Sequence, residues 1–150
     1  MTRSFAKLIV HVVYSTKNRE PVLTESICNE LYAYTAGILN TVDCLALSIG
    51  GTNDHIHVLA QMSRTMTLAK MVEDIKRGSS RWMKTQGAGF QGFSWQGGYG
   101  AFSVSESQLP IVKQYISNQE EHHRKRAFQD ELRTLLDKHN IAYDEKYIWG

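Results

Sequence analysis

Two hydrophobic rhythms follow one another along the chain in an order few folds accommodate. Strand-like and helix-like stretches run strand, helix, strand, strand, helix, strand, and two more helical stretches follow. Phe5–Thr16 is rich in Leu, Ile, Val and Tyr on both alternating faces, the pattern of a buried central strand. After a polar loop at Lys17–Pro21, Thr24 stands in a capping position with Glu25 in the first turn, and Ile27, Leu31, Tyr34 and Ile38 form a helical stripe ending near Asn40. Val42–Ile49 and His55–Met62 read as strands joined by the turn Gly50–Asp54, a hairpin. Thr67–Lys84 is a second helix, with Leu68, Met71, Val72, Ile75, Ser79 and Trp82 on one side. The segment 86–98 carries glycine at 87, 89, 92, 97 and 98 and reads as a long, mobile surface loop. Tyr99–Ser105 is a fourth strand. Ser107 caps a third helix that tolerates Pro110 in its first turn and runs to about His123. Ala127–His139 is a last helix, with Phe128, Leu132, Leu135 and Leu136, and an aromatic-containing tail follows. The order predicts an α+β fold of ferredoxin-like, split β-α-β type: an antiparallel sheet with two helices on one face and additional C-terminal helices.

At 150 residues with no internal repeat or linker, residues 1–150 are expected to form one domain, long enough for a core without staples. Lys and Arg number 17 against 15 Asp and Glu, so overall charge does not point to a polyanion, and any basic surface must be local. Cys28 and Cys44 lack metal-type spacing and read as reduced thiols. No apolar run reaches 18 residues, and Leu8–Val13 reads as strand rather than signal peptide; the expectation is a cytoplasmic protein with no membrane partner.

Residues two apart on a strand point to one face, so His55 and His57 stand side by side while Ile56 turns the other way. Two such imidazoles can hold one metal ion, although spacing alone favours a structural or surface pair. Tyr115 and Gln119, four apart on the third helix, share a face beside the apolar stripe of Leu109, Val112, Ile116 and His123. The plainer account of a lone helical tyrosine is packing.

A His-hydrophobic-His strand, a helix offering Tyr and Gln together, and this element order coexist. In that combination the chain resembles the HUH single-tyrosine transposases, small enzymes that move insertion sequences through single-stranded DNA. The resemblance is carried by Gly50–Leu59 and Tyr115–Glu120, with further likeness at Lys76–Trp82 and Gly98–Ser105. It spans about residues 4–149 without departure at the motif positions. It implies His55, His57 and Gln119 as ligands of a divalent ion, Mg²⁺ or Mn²⁺, and Tyr115, on its C-terminal helix, as nucleophile. Attack by Tyr115 on a DNA phosphate would leave a 5′-phosphotyrosine and a free 3′-hydroxyl, and reversal with another 3′-hydroxyl would join strands without ATP. A tyrosine hydroxyl, with a pKa of about 10, needs assistance for this. The resemblance also implies a homodimer in which the tyrosine helix can complete the partner's metal site, recognition of hairpins near the element's ends, and a bacterial or archaeal cell with the protein at its nucleoid.

Between residues 64 and 84, six basic residues face two acids. Lys70, Arg77, Arg81 and Lys84 fall within about 60° of arc opposite the apolar stripe, a candidate track for the DNA backbone or an ordinary solvated face; Lys76 lies off it. The run His122-His123-Arg124-Lys125-Arg126 is open to the same two readings. Phe90, Phe93 and Trp95 either stack on unpaired bases or cover the core edge, the latter preferred for Trp95. His11 reads as a satisfied buried histidine rather than a fourth ligand, and Asp54 as either a histidine-orienting carboxylate or a turn cap. Rival accounts are a domesticated relative that processes chromosomal repeat hairpins, a non-catalytic nucleic-acid-binding module, and a phosphodiesterase using metal-bound water.

Overall fold

The strands pair because their residues are apolar where the pleat buries them, and the two strands buried on both faces take the central places. The computed structural model describes residues 3–123, 126–146 and 148–149. Strands β1 (Leu8–Ser15), β2 (Leu45–Gly51), β3 (His55–Met62) and β4 (Gly100–Val104) form an antiparallel sheet in the order β2-β3-β1-β4. This is the expected ferredoxin-like order. The helices are α1 (Glu25–Thr41), α2 (Leu68–Lys84), α3 (Leu109–Ser117), α4 (Gln119–His123) and α5 (Phe128–Lys138). None is long and apolar enough to cross a membrane among the described residues.

Alternation along β1 and β3 gives the sheet two unlike faces. Val10, Val12, Tyr14, Ile56, Val58 and Ala60 join one core with Ile27, Leu31 and Leu39 of α1 and Met71, Val72, Ile75 and Met83 of α2. Each fully buried aliphatic side chain there contributes about 1.5–3 kcal/mol. The opposite face carries His11, Val13, His55, His57 and Leu59, covered by α3, α4 and α5. The register places Val13 opposite His57 and Ser15 opposite His55, while His11 opposes Leu59 and so lies diagonal to His57. On its other side His57 faces Gly50 of β2, and a bulge between Ala46 and Ser48 interrupts that pairing upstream.

Several sequence expectations are corrected. Tyr34 is exposed and stacks on Trp82, while Thr35 takes the buried place and donates its hydroxyl to the Leu31 carbonyl. Thr24 precedes α1 without a side-chain cap, whereas Thr67 does cap α2, accepting from Lys70 N. Ser107 sits in a 3-10 turn and does not cap α3. The third helix is not continuous: Asn118, at φ −100° and ψ 22°, separates α3 from α4, so Tyr115 and Gln119 belong to different helices. The glycine-rich loop is anchored. Phe93 and Trp95 are buried, the Trp95 indole donates to Ser79 Oγ at 3.0 Å, and Lys76 and Lys84 donate to loop carbonyls. These loop aromatics close the core.

Gly50 positions α3. A Cβ on Gly50 would collide with the Ile116 carbonyl, so the helix rests directly on strand backbone. Gly50→Ala is expected to lower stability by about 1–3 kcal/mol in urea unfolding, because neither backbone can yield freely. Gly37, in α1 with open space around it, is the opposite case: Gly37→Ala should raise stability by about 0.5–1 kcal/mol.

Candidate active site

Placing His55 and His57 on central strand β3, beneath three helices, leaves both imidazoles with no solvent exposure. Buried polar groups need partners, and each ring has them on both nitrogens. His55 Nδ1 lies 2.8 Å from Asp54 Oδ1, and its Nε2 lies 3.0 Å from Gln119 Oε1 and 3.3 Å from Glu131 Oε1. His57 Nδ1 lies 2.7 Å from His11 Nε2, and its Nε2 lies 2.9 Å from Glu131 Oε1. The outer nitrogens are thus held by Asp54 and His11, which fix each ring's orientation, while both Nε2 atoms face one point. Asp54 orients a histidine rather than serving only the turn, and His11 stands behind His57 rather than beside it as a further ligand.

Glu131 of α5 occupies the centre. Its carboxylate accepts from His57, from His123 Nε2 at 3.2 Å, from Gln119 Nε2 at 3.1 Å, and from the Tyr115 hydroxyl in a short hydrogen bond. The Tyr115 ring lies 5.8 Å from that of His57, so the phenol and the histidine pair of one chain share the cluster. Ligand atoms of His55, His57 and Glu131 all lie within 4.8 Å of one another, a group that can hold a metal ion. Imidazole nitrogens with carboxylate or amide oxygen suit an intermediate divalent cation, and the converging, outwardly braced Nε2 atoms fit that use.

The charges follow from the contacts. Burial opposes a charge on His55, but hydrogen bonds to Asp54 and Glu131 outweigh it and hold the imidazole up at about 9. Burial depresses His57 to about 4 and, with His57 beside it, His11 to about 3, so both are neutral. Burial also opposes ionisation of Glu131, yet hydrogen bonds from His123, His55 and His57 keep it far below the usual carboxylate range. Burial and the adjacent Glu131 carboxylate push the Tyr115 phenol above its ordinary value.

The sequence reading missed Glu131 and did not connect His123 with the histidine pair. The available signal was a carboxylate three residues after Phe128, on the side of α5 that packs inward. The α2 residues are not brought to this site. Lys70, Arg77, Arg81 and Lys84 are exposed on a helix packed against the other face of the sheet. Within α2, Lys70 pairs with Asp74 at 3.0 Å, Arg77 pairs with Glu73, and Lys84 donates to Ser80. Of the basic run after Gln119, Arg124, Lys125 and the His122 side chain lie outside the described residues, and Arg126 donates to the Asp130 carbonyl.

The sequence model of the family described as "Transposase IS200 like" matches residues 4–119. Among solved structures, the chain resembles a candidate transposase from Deinococcus radiodurans R1, with 24% identity and a TM-score of 0.62 over 79% of this chain and 98% of that one. It also resembles a REP-associated tyrosine transposase bound to a REP hairpin, with 13% identity and a TM-score of 0.61 over 82% of this chain and 73% of that one. At these identities the two structures establish the shared fold. A search of curated proteins finds no match.

The electrostatics predict a two-sided pH dependence for the metal-free protein. His55, held at about 9 against 6.5 for an unperturbed histidine, contributes stability that is complete below 6.5 and lost as pH rises through 9. His57 and His11, held at about 4 and 3, contribute stability that is complete above 6.5 and lost as pH falls. Thermal unfolding midpoints measured in chelator should therefore fall on both sides of neutrality. Asp54→Asn should flatten the alkaline limb and leave the acid limb in place.

Proposed function

The chain belongs to the IS200-like transposase family, and from that premise we propose that it cleaves and rejoins single-stranded DNA through Tyr115. The observation that carries the reading is the shared Glu131 carboxylate: one oxygen accepts from His57, the other from the Tyr115 hydroxyl. A candidate nucleophile and a candidate metal site thus lie one carboxylate apart.

In this reading His55 and His57 hold a divalent ion, Mg²⁺ or Mn²⁺, with Gln119 or Glu131 supplying oxygen. When bound, the ion polarises the scissile phosphate. Glu131 receives the phenolic proton as the Tyr115 oxygen forms its bond to phosphorus. The bond to the 3′-oxygen breaks, and that oxygen departs as a hydroxyl on taking up the proton that Glu131 received. The 5′-phosphotyrosine conserves the phosphodiester energy, so another 3′-hydroxyl can reverse the step and join strands. Asp54 and His11 keep the imidazoles aimed throughout.

DNA hairpins near the ends of a mobile element are the proposed recognition target; the REP-associated relative is itself bound to a hairpin. The exposed stripe of Lys70, Arg77, Arg81 and Lys84 would meet the backbone on the sheet face away from the cut. The proposal includes a homodimer acting on DNA in the cytoplasm.

Incubation with labelled single-stranded DNA from the flanks of its own gene, with Mn²⁺ or Mg²⁺, is expected to give a protease-sensitive protein–DNA adduct on a denaturing gel. Tyr115→Phe should abolish it. Cleavage without an adduct, undiminished in Tyr115→Phe, would transfer the chemistry to water and refute the reading. Independently, a bound ion must displace the Nε2 proton of His55. Calorimetric titration with Mn²⁺ at neutral pH, in buffers of different ionisation enthalpy, should therefore show release of about one proton per ion.

A further inference from the structure

We propose that the cavity between β1, the glycine-rich loop and the C-terminal segment is a pocket for one unpaired nucleobase of the strand held at the active site. The inference rests on the reading above that the substrate is single-stranded DNA. The cavity measures about 300 Å³, the lower end of the range for small-molecule sites. Its inner wall is Phe128, whose ring stacks on His55 with centroids 4.6 Å apart and also lines a second, larger cavity of about 1210 Å³ bordered by Gln119 and His123. One aromatic ring therefore separates this space from the candidate metal ligands.

The lining has the chemistry of a base site. Tyr99 is 42% exposed at the rim, and Tyr143 and Trp149 supply further aromatic surface. Gly100, paired with Val13 in the sheet, and Gly98, at φ +83°, line it without side chains of their own. Arg19 supplies positive charge, its guanidinium 5.5 Å from the centroid of the Trp149 ring. A flat, electron-rich ring stacks on such surfaces whatever its identity, and arginine adds a cation–π and phosphate-facing contact.

A second observation points to the same place. Asn18 and Arg19 are consecutive non-glycine residues in the left-handed region, at φ 56° and 55°. That conformation is unfavourable for L-residues, least so for Asn, and an arginine there needs a reason. The turn is held by Gln96, whose Oε1 accepts from Asn18 N–H at 2.9 Å, and Gln96 also lines the cavity. Strain of this kind concentrates at ligand clamps, and here its result is a cation at the pocket. Phe128, Tyr143 and Trp149 all lie beyond the residues matched by the family.

The test is equilibrium binding of two labelled single strands of about twelve nucleotides, oligo-dT and its fully abasic counterpart, which present the same phosphates with and without bases. Full-length protein carrying Tyr115→Phe serves as parent, so that no strand is cut. The parent is expected to bind oligo-dT about tenfold more tightly than the abasic strand. Tyr99→Ala and Trp149→Ala should bring that ratio close to one while leaving abasic affinity unchanged. Arg19→Gln should weaken binding of oligo-dT. A ratio near one in the parent, a ratio insensitive to Tyr99→Ala and Trp149→Ala, or equal loss of both affinities in those variants would overturn the pocket. Failure to bind either strand would overturn the single-stranded DNA reading itself and the pocket with it. A missing adduct from protein with Tyr115 intact, with the binding pattern unchanged, would count against the tyrosine chemistry alone.

Discussion

One buried carboxylate gathers the polar side of this fold. Glu131 is only 3% exposed, and an isolated anion at that depth would be too costly to keep. It is kept because His55, His57, His123, Gln119 and Tyr115 surround it, three of them imidazoles and two of them donors from the helices opposite. Those side chains come from β3, α3 and α4, and Glu131 itself from α5, so the cluster ties four elements together at one polar point. Removing the anion would leave a charged His55 and several donors buried without their acceptor, which is why such a group destabilises more by its loss than it stabilises by its presence.

The sheet divides the remaining work. Its α1 and α2 face is an ordinary apolar core, in which even the conspicuous loop aromatics Phe93 and Trp95 are spent on closure. The other face is where β1 and β3 present histidines in place of aliphatic residues. Stability drawn from one side lets the opposite side keep a concentration of polar groups that could not support a fold alone. The α2 basic stripe belongs to the first side, so any DNA it meets approaches from the far side of the sheet.

Much of this was legible from period alone. The two-residue alternation of β3 and the neighbouring turn gave the histidine pair its boundaries, and the strand–helix order gave the sheet its topology. What escaped was set by contacts distant in sequence. Asn118 breaks the helix between Tyr115 and Gln119, although no proline or glycine marks the place. Tyr34 and Thr35 exchange their expected places because Trp82 of α2 offers the tyrosine a stacking partner outside the core. Glu131 has the charge of a surface residue on a helix judged by its leucines; only the histidines waiting 74 and 76 positions earlier make its inward place sensible.

The bulge between Ala46 and Ser48 bears on how such a chain can change over time. In a pleated strand an extra residue reverses every side chain that follows it. The irregularity lies in the edge strand, upstream of Gly50, so the phase is already restored where β2 meets His57. Lengthening or shortening of the chain around α1 and the start of β2 can be taken up there as slack. The same change within β3 would send Ile56 to the ligand face and both histidines into the oil, so the history of insertions in this fold should be written along its margin and be blank at its middle.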